Sequence, residues 1–284
     1  MGSRARLPQL GLAVLLWVGA ALTAAADVPA GRFDADQCVA CHTAIQPDLV
    51  ADWQGSVHAA AGADCTACHG DGHRGAAARA RRDATCIDCH GERSPEVHSY
   101  TTSKHGVITG LEGPRREWRA PLQDANYRTP GCAYCHMHRA DHAAAPTNVS
   151  SAQSPGAVCY ECHGPRYVGR LFDNGRRMVE LGRLKLREGR ELLAEHGDAL
   201  TRGERKQADA RLATMDGHLR NLRLGVGHQS PDYQWWHGHP ALDGDLLRLK
   251  GLVETALRQR RLEGDAPVES SAAVKEHNRI PESQ

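Results

Sequence analysis

Cys-x-x-Cys-His occurs five times in the 284 residues, and the five copies use all ten cysteines. They are Cys38-Val-Ala-Cys41-His42, Cys65-Thr-Ala-Cys68-His69, Cys86-Ile-Asp-Cys89-His90, Cys132-Ala-Tyr-Cys135-His136 and Cys159-Tyr-Glu-Cys162-His163. In this motif two thioether bonds fix a porphyrin to the backbone, and the adjacent histidine becomes the proximal ligand of its iron. Zinc ribbons also use paired Cys-x-x-Cys, but they do not need a histidine directly after every second cysteine. Disulfides in an exported chain pair cysteines and leave the trailing histidine unexplained. The spacing therefore predicts five covalently bound haem c groups.

Composition agrees that something other than side chains fills the interior of this region. Residues 27–165 contain one Phe and two Trp. A segment so poor in large apolar side chains cannot offset its own chain entropy by burial. Porphyrin rings would supply the missing core, and the apoprotein should be largely unfolded there.

The N-terminus bears on the compartment. Met1 to Gln9 carries Arg4 and Arg6 and no acid, Leu10 to Leu22 is apolar, and Ala24-Ala25-Ala26 offers a small-residue cleavage site. This pattern predicts a signal peptide over 1–26, cleaved after Ala26, and export to the periplasm. A retained anchor is the alternative, although the run is short for a spanning helix. Without Arg4 and Arg6, the 35 basic residues fall to 33 against 34 acidic ones, a net charge of −1. Haem propionates would make the holoprotein more acidic. Arg79, Arg81 and Arg82 read as propionate partners or solvated charges. No aromatic interleaving or binding motif accompanies them, so nucleic acid is not an expected partner.

The fold expected is mainly α: a multihaem cytochrome c with a loop-rich, haem-packed N-terminal part over 27–165 and a helical C-terminal module over 166–263. Met178, Leu181 and Leu184 open one helix; Leu212, Met215, Leu219 and Leu222 mark a second. Leu242, Leu246, Leu249, Val253 and Leu257 mark a third, all at helical spacing. Gly197-Asp198 and the stretch from Gly225 to Pro231 are the breaks between them. The stripe suits an intramolecular bundle or a homo-oligomer contact. Residues 264–284 are polar and expected to be a disordered tail.

Axial ligation separates electron wiring from catalysis. Twelve histidines lie outside the motifs, and five haems need at most five distal ligands. Methionine is scarce, and Met137 adjoins a proximal ligand, so bis-histidine ligation and low potentials are expected. The distal candidates are His58, His73, His105, His142 and His237, the last competing with His228 and His239. His196, His218 and His277 sit in polar surroundings and read as solvent-exposed.

Several stretches carry a resemblance. They are Leu49-Val-Ala-Asp-Trp-Gln-Gly-Ser-Val-His58 followed by Cys65-Thr-Ala-Cys-His-Gly70, Tyr100-Thr-Thr-Ser-Lys-His-Gly-Val107, and Pro130-Gly-Cys-Ala-Tyr-Cys-His-Met137. With the aromatic-His-Gly segment before the last helix, they resemble multihaem cytochromes related to hydroxylamine oxidoreductase. The resemblance covers about 34–257. It implies bis-histidine haems that pass electrons, one haem with an open position acting on a small nitrogen compound, and in some members a trimer built by the C-terminal helices.

This chain departs from that pattern. It has five motifs where the enzymes usually have eight. The window Arg93-Ser-Pro-Glu-Val-His98 lacks their Asp-His pair, and no motif ends in lysine as in the pentahaem nitrite reductases. Asp141-His142 lies where the family tends to place a ligand histidine, and the family's cross-linking tyrosine has no clear counterpart here, Tyr233 being nearby in the final segment but out of alignment. The expected function is thus periplasmic electron transfer between periplasmic or membrane redox partners. The alternative is an oxidoreductase acting on hydroxylamine or nitrite, first at the haem of Cys86, Cys89 and His90 with His98 as proton donor, next at that of Cys38, Cys41 and His42.

Overall fold

The computed structural model describes residues 28–120, 126, 128–143, 150–151, 154–155 and 158–264. The leader and its cleavage point lie outside these residues, as does the expected tail apart from Gly264, which ends a helix.

The chain is mainly α. Short helices carry the first four motifs, two of them with side-chain caps. α1 (Ala35–Ile45) holds the first and opens with a capping box between Asp34 and Gln37. α2 (Pro47–Gln54) and α3 (Val57–Ala60) follow; Ser56 caps α3, which carries His58. α4 (Cys65–His69) holds the second motif and is capped by Asp64. α5 (Ala76–Arg81) precedes α6 (Asp83–His90), which holds the third. α7 (Pro95–Thr101) and α8 (Lys104–Glu112) are capped by Ser94 and Ser103. α9 (Cys132–His136) holds the fourth motif, and a 3-10 turn at Val158–Glu161 carries cysteine Cys159 of the fifth. Ser150–Ser151 and Ser154–Pro155 pair antiparallel, a minor feature.

Gly106 of the Ser-Lys-His-Gly stretch is there for space. A Cβ at this position would come within 2.1 Å of the Tyr100 carbonyl oxygen, so only glycine lets α8 fold back so closely on α7.

Three long helices then form a bundle: α10 (Pro165–His196), α11 (Arg202–Gly227) and α13 (His239–Gly264), with the short α12 (Pro231–Trp235) between the last two. Thr201 and Glu204 make a capping box at the start of α11. The core has two adjoining parts. Leu186, Met215, Leu219, Leu222, Leu242 and Leu246 form one; Leu193, Leu200, Ala208, Leu249, Val253 and Ala256 form the other. The leucine stripes of α11 and α13 thus face inward.

The buried face of α10 differs from the one expected. Leu181 and Leu184 are exposed, while Gly175, Gly182, Gly189, Leu186 and Leu193 are buried. The glycines recur every seven residues and admit the neighbouring helices: a Cβ at Gly182 would sit 2.8 Å from a Leu222 methyl. Met178 packs against the core while Leu181 and Leu184 do not, and small residues at a close helix crossing carry no hydropathy signal.

His218, expected in solvent, is largely covered, its Nε2 being 3.2 Å from the buried carboxylate of Asp245. His196 is likewise only a third exposed, beside Glu195. His277 lies outside the described residues.

The apolar core is concentrated in this bundle. Before residue 165, the buried apolar side chains among the described residues are Val50, Ala78, Val97 and Val158. The remainder of the N-terminal part carries helix caps and polar links such as the Asp83–Cys132 and Arg116–Thr129 hydrogen bonds.

Candidate functional site

Five pairs of imidazoles, each joining one motif histidine to one histidine outside the motifs, are the recurrent feature of the N-terminal part. His42 faces His73 with ring centroids 6.3 Å apart, and His69 faces His142 at 6.0 Å. His90 faces His58 at 6.3 Å, His136 faces His228 at 6.3 Å, and His163 faces His105 at 6.1 Å. No motif histidine is left out.

The spacing is that of two ligands sharing one ion. Two metal–nitrogen bonds of about 2 Å each, plus the radii of two rings, span such a gap. Beside each motif histidine lie two free cysteine thiols, the groups that thioether attachment needs. The residues therefore fit haem c held between two histidines.

Hydrogen bonds select the useful tautomer. His73 Nδ1 lies 3.0 Å from the Pro29 carbonyl, His142 Nδ1 lies 2.6 Å from the Ala140 carbonyl, and His42 Nδ1 lies 3.0 Å from Gln46 Oε1. Each oxygen can only accept, so Nδ1 carries the proton and Nε2 keeps its lone pair. Such partners orient and strengthen histidine ligands. His228 reaches the same state through Ser99. The serine hydroxyl donates to the Glu96 carbonyl, so its oxygen accepts from His228 Nδ1 at 2.7 Å.

Burial favours the neutral ring as well. Desolvation, with the facing imidazole adding to it, holds His69 and His105 below the usual histidine range. Burial lowers His136 too, and His228 is pushed down to about 4 by burial and by His136. A neutral imidazole is the form that binds metal.

The motifs follow one another in space in chain order. Burial pushes the Cys65 and Cys68 thiols up, and neighbouring Cys38 adds to the first and Cys86 and Cys89 to the second. Cys86 hydrogen-bonds Cys132, and burial, with nearby Cys159 and Cys162 adding to it, pushes the Cys135 thiol up. Asp83 secures the middle of this row. Its Oδ1 accepts from the Cys132 backbone N–H at 2.7 Å, and its Oδ2 from the Tyr100 hydroxyl at 3.2 Å.

Of the distal candidates from the sequence, His58, His73, His105 and His142 each lie opposite a motif histidine. His237 does not. It sits against Tyr233, with ring centroids 4.7 Å apart, and near His98 and Asp232. The ring opposite His136 is His228, at the C-terminal end of α11. Its only sequence signal was its place between Gly225 and Ser230-Pro231, where the chain must turn. His98, considered as a proton donor near His90, instead bonds the Tyr233 hydroxyl at 3.0 Å.

Residues 16–151 match the family model described as seven times multi-haem cytochrome CxxCH. A 71-residue stretch is 41% identical to the probable nitrite reductase-hydroxylamine oxidoreductase fusion protein of Kuenenia stuttgartiensis. It covers 23% of this chain and 8% of that relative, so the chain spans only a small part of the longer protein. Among solved structures, the Kuenenia stuttgartiensis reducing HAO-like protein complex contains a chain that superposes with a TM-score of 0.49 at 14% identity, over 81% of this chain and 86% of that one.

Proposed function

We propose that this chain, whose N-terminal part matches a multihaem cytochrome family model and a stretch of a hydroxylamine oxidoreductase fusion protein, is a periplasmic electron carrier with five covalently bound, bis-histidine haems. The observation that carries this reading is the facing of every motif histidine by a second imidazole.

Bound haem supplies one-electron iron chemistry, at a lower potential with two imidazoles than with a methionine ligand. The protein's part is to hold the rings in place. Cys38, Cys41, Cys65, Cys68, Cys86, Cys89, Cys132, Cys135, Cys159 and Cys162 attach the porphyrins. His42, His69, His90, His136 and His163 ligate from one side, and His73, His142, His58, His228 and His105 from the other. The succession of motifs in space makes a continuous row from the first to the fifth. An enzyme of this class needs an iron with an open position, and the five facing rings argue against one.

The partners are periplasmic or membrane redox proteins that exchange electrons with the ends of the row, and the bundle of α10, α11 and α13 is where a homo-oligomer would form. Export rests on the leader over 1–26; the mass of the mature chain, expected to begin at Asp27, and its recovery in the periplasmic fraction test it.

The decisive experiment is low-temperature EPR of the oxidised holoprotein, with haem counted by pyridine haemochrome. Five haems per chain are expected, all low-spin and unaltered by nitrite or hydroxylamine. A high-spin signal that shifts on adding either ligand would overturn the proposal in favour of catalysis at an open iron.

A further inference from the structure

A sixth pair of histidines has the same spacing as the five described above but no cysteines beside it. His98 and His237 have ring centroids 6.2 Å apart. Asp232 joins them: one ring nitrogen of each histidine and one carboxylate oxygen all lie within 4.8 Å of one another. Among the described residues this is the one group of three histidine, cysteine or acidic side chains that converges in this way.

We infer that His98, Asp232 and His237 form a non-haem site for a divalent transition metal. Two imidazoles and a carboxylate are a donor set suited to zinc, copper or nickel. His237 Nε2 and Asp232 Oδ2 are 3.5 Å apart, long for a hydrogen bond and close to the edge of a tetrahedron with bonds of about 2 Å.

The surroundings support ligation. The hydrogen bond between His98 Nδ1 and the Tyr233 hydroxyl leaves His98 Nε2 as the ligand atom, with a buried tyrosine holding the ring. The ligands come from two distant parts of the chain, which are clamped together beside the site: Thr102 Oγ1 and Ser230 Oγ are 2.9 Å apart. Three protein ligands leave a coordination position over. Asp232 also lines an open cleft of about 500 Å³ with Thr102, Pro231, Trp235, Trp236 and Pro240, from which water or a small anion would fill that position. The same geometry explains why His237 is not available to a haem.

The test uses the five-haem holoprotein, cleared of loose metal with a chelator and dialysed against Zn2+. Covalently attached haem iron stays in place and serves as the internal count. One zinc for every five irons is expected, read by plasma emission. His237→Ala and Asp232→Asn should each abolish stoichiometric uptake and leave the haem spectrum unchanged. Tyr233→Phe, which keeps all three ligands, should weaken zinc binding by roughly tenfold. Absence of zinc in the wild type, or full uptake by the His237 and Asp232 variants, would overturn the inference. So would a new high-spin iron signal in His237→Ala, since His237 would then be a haem ligand.

Discussion

Ser99 and His228 lie 129 positions apart in sequence, yet the serine oxygen accepts the His228 Nδ1 proton at 2.7 Å. That bond turns the other edge of the ring toward His136 and ties α7 to the end of α11. A residue of the motif-bearing part thus positions an imidazole supplied by the helical bundle.

Replacement of His228 by Ala should convert one iron of the five to a high-spin, ligand-accepting state, seen by EPR and by carbon monoxide binding to the reduced protein. His237→Ala should leave all five low-spin. Ser99→Ala should keep the low-spin signal while raising the potential of that one haem by the equivalent of about 1 kcal/mol, because a less basic imidazole stabilises oxidised iron less.

His105 faces His163 at 6.1 Å. His105→Met should therefore raise one reduction potential and leave the other four nearly unchanged, because methionine ligation stabilises the reduced iron. A spectroelectrochemical titration with five unaltered midpoints would remove His105 from the ligand set.

The imidazole planes differ among the pairs. His58 and His90 are at 82°, His136 and His228 at 63°, and the other three pairs at 33°, 19° and 30°. Crossed planes leave two iron d orbitals nearly equal in energy, whereas parallel planes split them. The EPR spectrum should contain large-g low-spin signals from the crossed sites and rhombic ones from the others. His58→Met should remove a large-g feature specifically.

Gly106→Ala should impair assembly of the holoprotein, because a methyl group there meets backbone rather than a movable side chain. In the bundle, Leu242 is fully buried against Leu222 and its neighbours. Leu242→Ala should cost about 2–5 kcal/mol in denaturant unfolding, with the haem spectrum preserved.

The five Cys-x-x-Cys-His motifs were legible because each is a local pattern, complete within five consecutive residues. The inward faces of α11 and α13 were legible because leucines at helical spacing are a local record of burial. The face of α10 was not: Gly175, Gly182 and Gly189 are buried for their smallness, and hydropathy has no mark for that.

The chain by itself determined how many Cys-x-x-Cys-His motifs there are, and that most of the region before residue 165 lacks an apolar core of its own. Only the tertiary structure decided which imidazole stands opposite which. His73 follows the second motif but faces the first, His142 follows the fourth but faces the second, and His228 comes from another helix altogether. A second ligand must approach from the opposite side of a flat ring, where near neighbours in sequence cannot easily reach. Choosing between His228 and His237 therefore depended on where the turn after α11 places each side chain.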